Sequence, residues 1–265
     1  MTQGFQGKGF AAAASAVSAH VVHTGAEGLE QGMATLPGGA PAYYALPEGG
    51  RNLPVVLVAQ EIFGLHEHIR DIVRRLAKLG YFAVAPDYLI RYGDPMAAPD
   101  IDTILREIVA KVPDAETMAI FDEALAFAVS RDADPKRAAM TGFCWGGRIA
   151  WLYAAHRPDL AACVPWYGRL DGSHTAVQPR WPIDVAAEIK VPTLGLYGGA
   201  DPSIPLDLVT RMMERLAEAD APADIMLYDD APHGFFSDYR PSYREQAARD
   251  AWERMLAFFR ANGVG

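Results

Sequence analysis

The sequence predicts an α/β protein built on a mostly parallel, doubly wound sheet flanked by helices. Three observations lead there. Apolar runs such as Leu53-Pro54-Val55-Val56-Leu57-Val58-Ala59 and Tyr81-Phe82-Ala83-Val84-Ala85 have no polar face, as strands covered on both sides require. Segments with helical spacing alternate with those runs, which implies right-handed crossovers between parallel neighbours. A chain of 265 residues, 51% of them hydrophobic, is also long enough to bury one large core.

Taken in order, Gly28 to Pro47 alternates short extended pieces with Pro-Gly-Gly and Pro-Glu-Gly-Gly turns, an antiparallel start to a sheet. The run Leu53 to Ala59 is the first fully buried strand, and Ile69 to Leu79 reads as an amphipathic helix closed by Gly80. Tyr81 to Ala85 is the next strand. A polar loop from Tyr88 to Asp100 and a mostly helical stretch from Ile101 to Ser130 follow. Ala138-Ala139-Met140 then leads into Thr141 to Gly147, with helical spacing from Arg148 to His156. Beyond these come a strand at Ala161 to Trp166, an irregular loop from Gly168 to Pro182 and a strand at Val191 to Tyr197. The chain ends with a helix from Leu206 to Ala219, a strand at Asp224 to Tyr228, a loop at Ala231 to Phe235 and a helix from about Tyr243 to Arg260. Ala247, Ala251, Met255, Phe258 and Phe259 share one face of that helix. No stretch reads as an interdomain linker, so residues 28–265 are expected to form one domain behind a tail of residues 1–27.

The formal charge of −9 excludes a nucleic-acid partner, because phosphate binding needs a basic surface. No run reaches transmembrane length. Of the two cysteines, Cys163 sits in the apolar run Leu160 to Val164 and is expected to be buried as a small hydrophobe, with no disulfide to Cys144. Phe10 to Ala19 has the small residues of a signal-peptide end, but only Lys8 precedes it as a positive charge. A mobile tail or short helix in a cytoplasmic protein is the plainer reading; a truncated export signal would instead mean the periplasm.

The chemistry is concentrated at strand ends. Gly142-Phe143-Cys144-Trp145-Gly146-Gly147 has the form of a nucleophile elbow with sulfur in place of the usual serine hydroxyl. Glycines two residues either side of Cys144 let strand and helix approach where a Cβ would collide, and the helix N-terminus beneath favours a thiolate. Glu61, Asp87, Cys144, Asp201 and His233 all follow predicted strands, so one fold assumption gathers them on one rim. Cys144, Asp201 and His233 occur in the order nucleophile, acid, histidine of the α/β-hydrolase triad. His233 would exchange protons with the thiol and the leaving group, Asp201 would fix the imidazole tautomer, and the amides of Trp145 and Ile62 would hold the oxyanion. Read singly, Asp201 could be a turn cap, His233 a loop residue and Glu61 a helix-entry cap. His66 and His68, two apart on the expected helix, point to different faces, so a solvated helix start is expected rather than a metal site.

Gln60-Glu61-Ile62-Phe63-Gly64, Ala85-Pro86-Asp87-Tyr88, Gly142 to Gly147, Gly198-Gly199-Ala200-Asp201 and His233-Gly234-Phe235 together resemble the dienelactone hydrolase family, over roughly residues 28 to 260. The resemblance implies an α/β-hydrolase fold and a cofactor-free hydrolase that opens small lactones or enol esters through an acyl-enzyme on Cys144. It also implies that Glu61 hydrogen-bonds the resting thiol and helps deprotonate it when substrate arrives. Of the two arginines that bind substrate carboxylate in the family, Arg91 matches the first, whereas Ser237 stands at the second, with Arg240 and Arg244 nearby. Arg91 could equally be a surface ion pair. Phe63, Tyr92, Trp166 and Phe235 complete the candidate substrate-binding set, and Tyr167 and Trp181 are further aromatic candidates. The expectation is a monomer or homodimer acting on a small-molecule lactone or ester, without metal or cofactor. A general carboxylesterase or thioesterase, or a non-catalytic redox-sensing protein of this fold, is the alternative.

Overall fold

The computed structural model describes residues 20–265, so the stretch from Phe10 to Ala19 lies outside the described residues. Eight strands form one sheet: β1 (Leu29–Thr35), β2 (Pro41–Pro47), β3 (Leu53–Ala59), β4 (Phe82–Pro86), β5 (Ala133–Phe143), β6 (Ala162–Trp166), β7 (Thr193–Gly198) and β8 (Ala223–Tyr228). Their order is β1-β2-β4-β3-β5-β6-β7-β8. The first two strands pair antiparallel with each other and with the sheet, as the turn-rich start predicted. All remaining neighbours are parallel. From β3 the chain steps first to β4 on one side and later to β5 on the other. The crevice where such a winding reverses lies at the carboxyl ends of β3 and β5.

Helices α1 (Glu67–Lys78), α2 (Ile101–Thr103), α3 (Asp114–Ser130), α4 (Trp145–His156), α5 (Pro182–Val185), α6 (Leu206–Glu218) and α7 (Glu245–Ala261) cover the faces. Residues Val55 to Ala59 and Phe82 to Ala85 are fully buried, which is why those runs carry no polar side chain. Cys163 is likewise fully buried, and both cysteines are free.

The stretch Ile101 to Ser130 is mostly helical, as expected, but not continuous: a π-helical turn at Ile104–Ile108 and a 3-10 turn at Val109–Lys111 intervene before α3. Pro113 explains the break, because the residue before proline is pushed out of the helical region, and Val112 is extended (φ −77°, ψ 118°). The buried stripe of α7 is Ala248, Ala251, Met255 and Phe259, with Ala247 and Phe258 on its half-buried shoulder. The described part of the tail, residues 20–27, is tied to α1 at Thr24. Its Thr24 amide and hydroxyl donate to Asp71 of α1 (2.6 and 3.2 Å), and Arg74 Nε donates to the Thr24 carbonyl (2.8 Å). Side chains of α1 thus satisfy backbone groups that no ladder satisfies.

Candidate active site

The bend after β5 is built by its glycines. A Cβ on Gly142 would lie 2.1 Å from the Gly146 carbonyl oxygen, and one on Gly146 would lie 2.2 Å from the Ala59 oxygen of β3. No side chain fits either gap, so β3, β5 and the start of α4 can meet this closely only through glycine. Between them Cys144 adopts φ 55° and ψ −115°, a conformation costing a side-chain residue roughly 1–3 kcal/mol. Its amide donates to the Trp166 carbonyl (3.1 Å) and its carbonyl accepts from Gly147 (2.9 Å). Behind the bend, fully buried Arg148 makes a two-pronged bond to Asp114 (2.6 and 2.9 Å) and stacks on the rings of Trp145 and Trp181. That clamp holds the first turn of α4 rigid under the sulfur.

The His233 imidazole feels the charge of Cys144. Its Nδ1 is 2.6 Å from Asp201 Oδ2. Ser203 Oγ donates to Asp201 Oδ1 (2.6 Å) and lies 3.2 Å from the same ring nitrogen. Burial opposes a charge on His233, but the sulfur and the Asp201 carboxylate outweigh it, and the imidazole pKa is pushed up to about 10. Asp201 is held below the ordinary carboxylate range: burial raises it, and the bonds from His233 and Ser203 more than compensate. The structure brings Asp201 and His233 into contact, with Cys144 near enough for its charge to act on the ring. Ser203 escaped the sequence reading, although a serine two residues after Asp201 is a common turn signal.

The two amides expected to hold an oxyanion lie at neighbouring strand ends. Trp145 opens α4, so its N–H has no acceptor within the helix. Ile62 follows β3, whose Ala59 pairs with Gly142 of β5.

Glu61 is buried at the same crevice, but its partners differ from those expected. Tyr239 OH donates to Oε2 (2.7 Å), Ser237 Oγ to Oε1 (3.2 Å), and His66 Nε2 lies 3.3 Å from Oε2. Burial raises its pKa; the His66 bond and the Arg240 charge overcome that and hold it well below the carboxylate range. The Glu61 oxygens are therefore engaged by Tyr239 and Ser237. His66 and His68 are not solvated, contrary to the sequence reading: both are buried, with near-parallel rings 6.1 Å apart. The rings lie under Tyr239, and His68 Nδ1 is 3.2 Å from Asp238 Oδ1. Local spacing could not reveal this, because the cover comes from residues after His233.

The substrate-binding candidates divide. Arg91 is exposed, paired with Glu116 (2.9 Å) and bonded to the Gly38 carbonyl, and Tyr92 donates to the same Glu116 carboxylate. Trp166 and Phe235 are fully buried: Trp166 donates to Thr141 Oγ (3.0 Å), and both rings pack under Tyr167, so they floor the site instead of lining it. Fully buried Tyr167 (φ 35°) sets its ring edge-on against His233 at 5.2 Å. The Arg240 guanidinium lies 4.3 Å from the centre of the Phe63 ring. Among the described residues no group of three or more His, Cys, Asp and Glu side chains could hold a metal ion, and no helix is long and apolar enough to cross a membrane.

Chemically, this arrangement can present a sulfur nucleophile on a strained bend near an imidazole held by a carboxylate. Comparison with known proteins gives the family. The sequence profile of the Dienelactone hydrolase family matches residues 40–263. The chain is 51% identical to a protein provisionally named carboxymethylenebutenolidase from Methylorubrum extorquens, over 97% of this chain and 90% of that one. It is 49% identical to one of the same provisional name from Salmonella typhimurium, over 96% of each. The crystal structure of a provisionally named dienelactone hydrolase from Klebsiella pneumoniae superposes with a TM-score of 0.85 at 49% identity, covering 87% of this chain and 98% of that one. The fold is accordingly the α/β-hydrolase fold.

Proposed function

The chain belongs to the dienelactone hydrolase family and is a hydrolase, and we propose that it opens small lactones or enol esters through an acyl-enzyme on Cys144. The catalytic unit in this reading is residues 28–265. The observation that carries it is the line Cys144, His233, Asp201, with the sulfur on a strained bend and 2.6 Å between imidazole and carboxylate. The thiolate attacks the carbonyl carbon, forming a C–S bond while the carbonyl π pair moves onto oxygen, where the Trp145 and Ile62 amides receive it. Collapse expels the alkoxide or enolate, which takes the His233 proton. In a lactone this leaving group stays tethered to the acyl chain. Water, deprotonated by His233, then cleaves the thioester, and the proton returns to the imidazole–sulfur pair as the acid departs. Asp201 and Ser203 hold the ring for both transfers.

Substrate polarity is the second part of the reading. Arg91 is engaged by Glu116, and Ser237 occupies the position where the family's second arginine is expected. Arg240, on the Phe63 ring and electrostatically coupled to Glu61, supports a role as the cation facing a substrate carboxylate. Purified protein should hydrolyse a chromogenic short-chain ester or a dienelactone, and Cys144→Ala should lose at least about 10³-fold in kcat/KM. Retained turnover in that variant removes Cys144 from its role. Arg240→Ala should raise KM about tenfold for an anionic lactone, leaving a neutral ester unaffected, since one charged hydrogen bond is worth about 1.5–3 kcal/mol. Equal effects on both substrates would favour a general esterase.

A further inference from the structure

Asp87 and Tyr88 follow β4 on the rim that also carries Glu61 and Cys144, and both side chains are bonded to Gln60, just past the end of β3. The Gln60 side-chain amide donates to Asp87 Oδ1 (2.9 Å), and the Tyr88 hydroxyl donates to the Gln60 carbonyl (2.6 Å). The same Asp87 oxygen accepts from the amides of Leu89 and Ile90 (both 3.1 Å), while the Asp87 amide donates to the Pro41 carbonyl of β2 (2.7 Å). Gln60, Asp87 and Tyr88 are all buried. The pairing register of β3 with β4 runs only to Leu57 and Val84, so above it the two strand ends are joined by these side-chain bonds. The Gln60 carbonyl also meets the elbow. A Cβ on Gly146 would lie 2.6 Å from that oxygen, so the first turn of α4 packs directly on it. Trp145, one residue before Gly146, and Ile62, two after Gln60, carry the two amides assigned to the oxyanion, and the Ile62 amide donates to no group among the described residues. One carbonyl oxygen is thus the point where both halves of the oxyanion site touch.

We propose that Tyr88 and Asp87 are positioning residues for the oxyanion site: by gripping Gln60 at its carbonyl and its side chain, they hold the backbone from Gln60 to Ile62 against Gly146 and so set the spacing of the Ile62 and Trp145 amides. This rests on the reading of Cys144 as nucleophile and of those amides as its oxyanion donors. A peptide unit is planar, so a bond to the Gln60 carbonyl orients the whole unit joining Gln60 to Glu61. Only the two backbone torsions of Glu61 then separate it from the Ile62 amide. Those torsions are restrained in turn, because the Glu61 carboxylate is held by Tyr239 and Ser237. An oxyanion donor acts on charge that develops only in the transition state, and it must stand about 2.7–3.1 Å from that charge. A small displacement of Ile62 therefore slows the chemical step and leaves substrate binding alone.

The test sets two reactions of Cys144 against each other in the full chain. Hydrolysis of a chromogenic short-chain ester passes through an oxyanion. Alkylation by iodoacetamide does not: the sulfur forms a bond to the methylene carbon as iodide leaves, and no carbonyl oxygen gains charge. Removing an oxyanion donor outright costs about 10²–10³ in kcat, so displacing one through Tyr88→Phe, which keeps the ring, should lower kcat about tenfold with KM unchanged. The alkylation rate at Cys144, mapped by mass spectrometry, should stay that of the unaltered protein. Asp87→Leu should lower kcat in the same way, and Asp87→Asn, which keeps an acceptor oxygen for Gln60, should restore most of it. Tyr88→Phe decides by itself if Asp87→Leu fails to fold. An unchanged kcat in Tyr88→Phe overturns the proposal. So does a loss that alkylation shares, since the elbow as a whole would then be disturbed, and so does a rise in KM at constant kcat, which would put the effect on substrate binding. An Asp87→Asn variant as slow as Asp87→Leu removes Asp87 from the role. Failure of the underlying reading shows separately: the unaltered protein would leave the ester intact, or Cys144→Ala would go on hydrolysing it.

Discussion

Two carboxylate–histidine pairs stand on the same rim of the sheet, and they titrate in opposite senses. Asp201 and His233 are 2.6 Å apart, and the imidazole is pushed up to about 10; Glu61 and His66 are 3.3 Å apart, and the imidazole is driven down. Each pair also has a hydroxyl on its carboxylate, Ser203 in one case and Tyr239 in the other. The difference lies in what the second face of each ring meets. His233 has the Cys144 sulfur there and is partly open to solvent, so two negative partners overcome burial. His66 is sealed among aromatic rings with one carboxylate, which also answers to Tyr239, Ser237 and Arg240, and desolvation wins. A carboxylate–histidine pair of the same composition raises or lowers its imidazole pKa according to its surroundings.

The largest test of that distinction is kinetic. Asp201→Asn should lower kcat/KM by about 10⁴-fold, by analogy with the orienting aspartate of serine triads, because the wrong tautomer is then favoured. Glu61→Gln should cost far less in the same chromogenic assay. Equal losses would mean that both pairs act directly on the reaction.

A second test reads the pairs themselves. Cys144→Ala removes the first of the charges that raise His233, so its ring titration by NMR should fall from about 10 toward the ordinary histidine value of 6.5. No such movement is expected at His66, where the sulfur is not a cause. A common shift of both rings would join what the structure keeps apart.

The smallest effect is in stability. His66 is lowered below 6.5 in the folded protein, so below that pH the unfolded chain binds the extra proton and the folded one does not. Stability should therefore decline as pH falls from 6.5 toward 5, by at most about 1.4 kcal/mol per pH unit from this group. His233, with its raised value, is protonated in both states below 6.5 and adds no slope there. Urea midpoints across that window should show the decline in the parent protein and a flatter course in His66→Gln.

How far the sequence reached differs between the same two regions. The elbow was legible because its determinants are local: Gly142, Cys144 and Gly146 fix the bend within five residues, and the collisions that a Cβ would cause involve the adjoining strand and helix. Asp201 and His233 could be placed because each lies in the loop after a parallel strand, and parallel strands deliver their ends to one edge. The helix boundaries came within a few residues wherever the apolar spacing was regular, and the interruption at Val112-Pro113 follows from the proline.

Around Glu61 the sequence misled. Spacing along α1 made His66 and His68 a solvated entry, and nothing local could show that Ser237, Asp238 and Tyr239 close over them. Trp166 and Phe235 read as possible lining because an aromatic side chain looks the same in a core as on a pocket wall; only their complete burial separates the two. Arg91 was open between a substrate contact and a surface ion pair, and only the fold shows the pair it makes with Glu116, in the first turn of α3.

By itself, then, the sequence determined the doubly wound sheet, the glycine-built bend bearing Cys144 and the strand-end loops that carry Asp201 and His233. These follow from periodicity, glycine spacing and strand ends, all short-range properties of the chain. The tertiary structure alone decided which charge each histidine faces, that Glu61 is bonded away from the sulfur, and that the strap at Thr24 is anchored to α1. Those outcomes depend on desolvation and on partners up to 178 positions distant in the chain, and a buried charge is governed by everything packed around it.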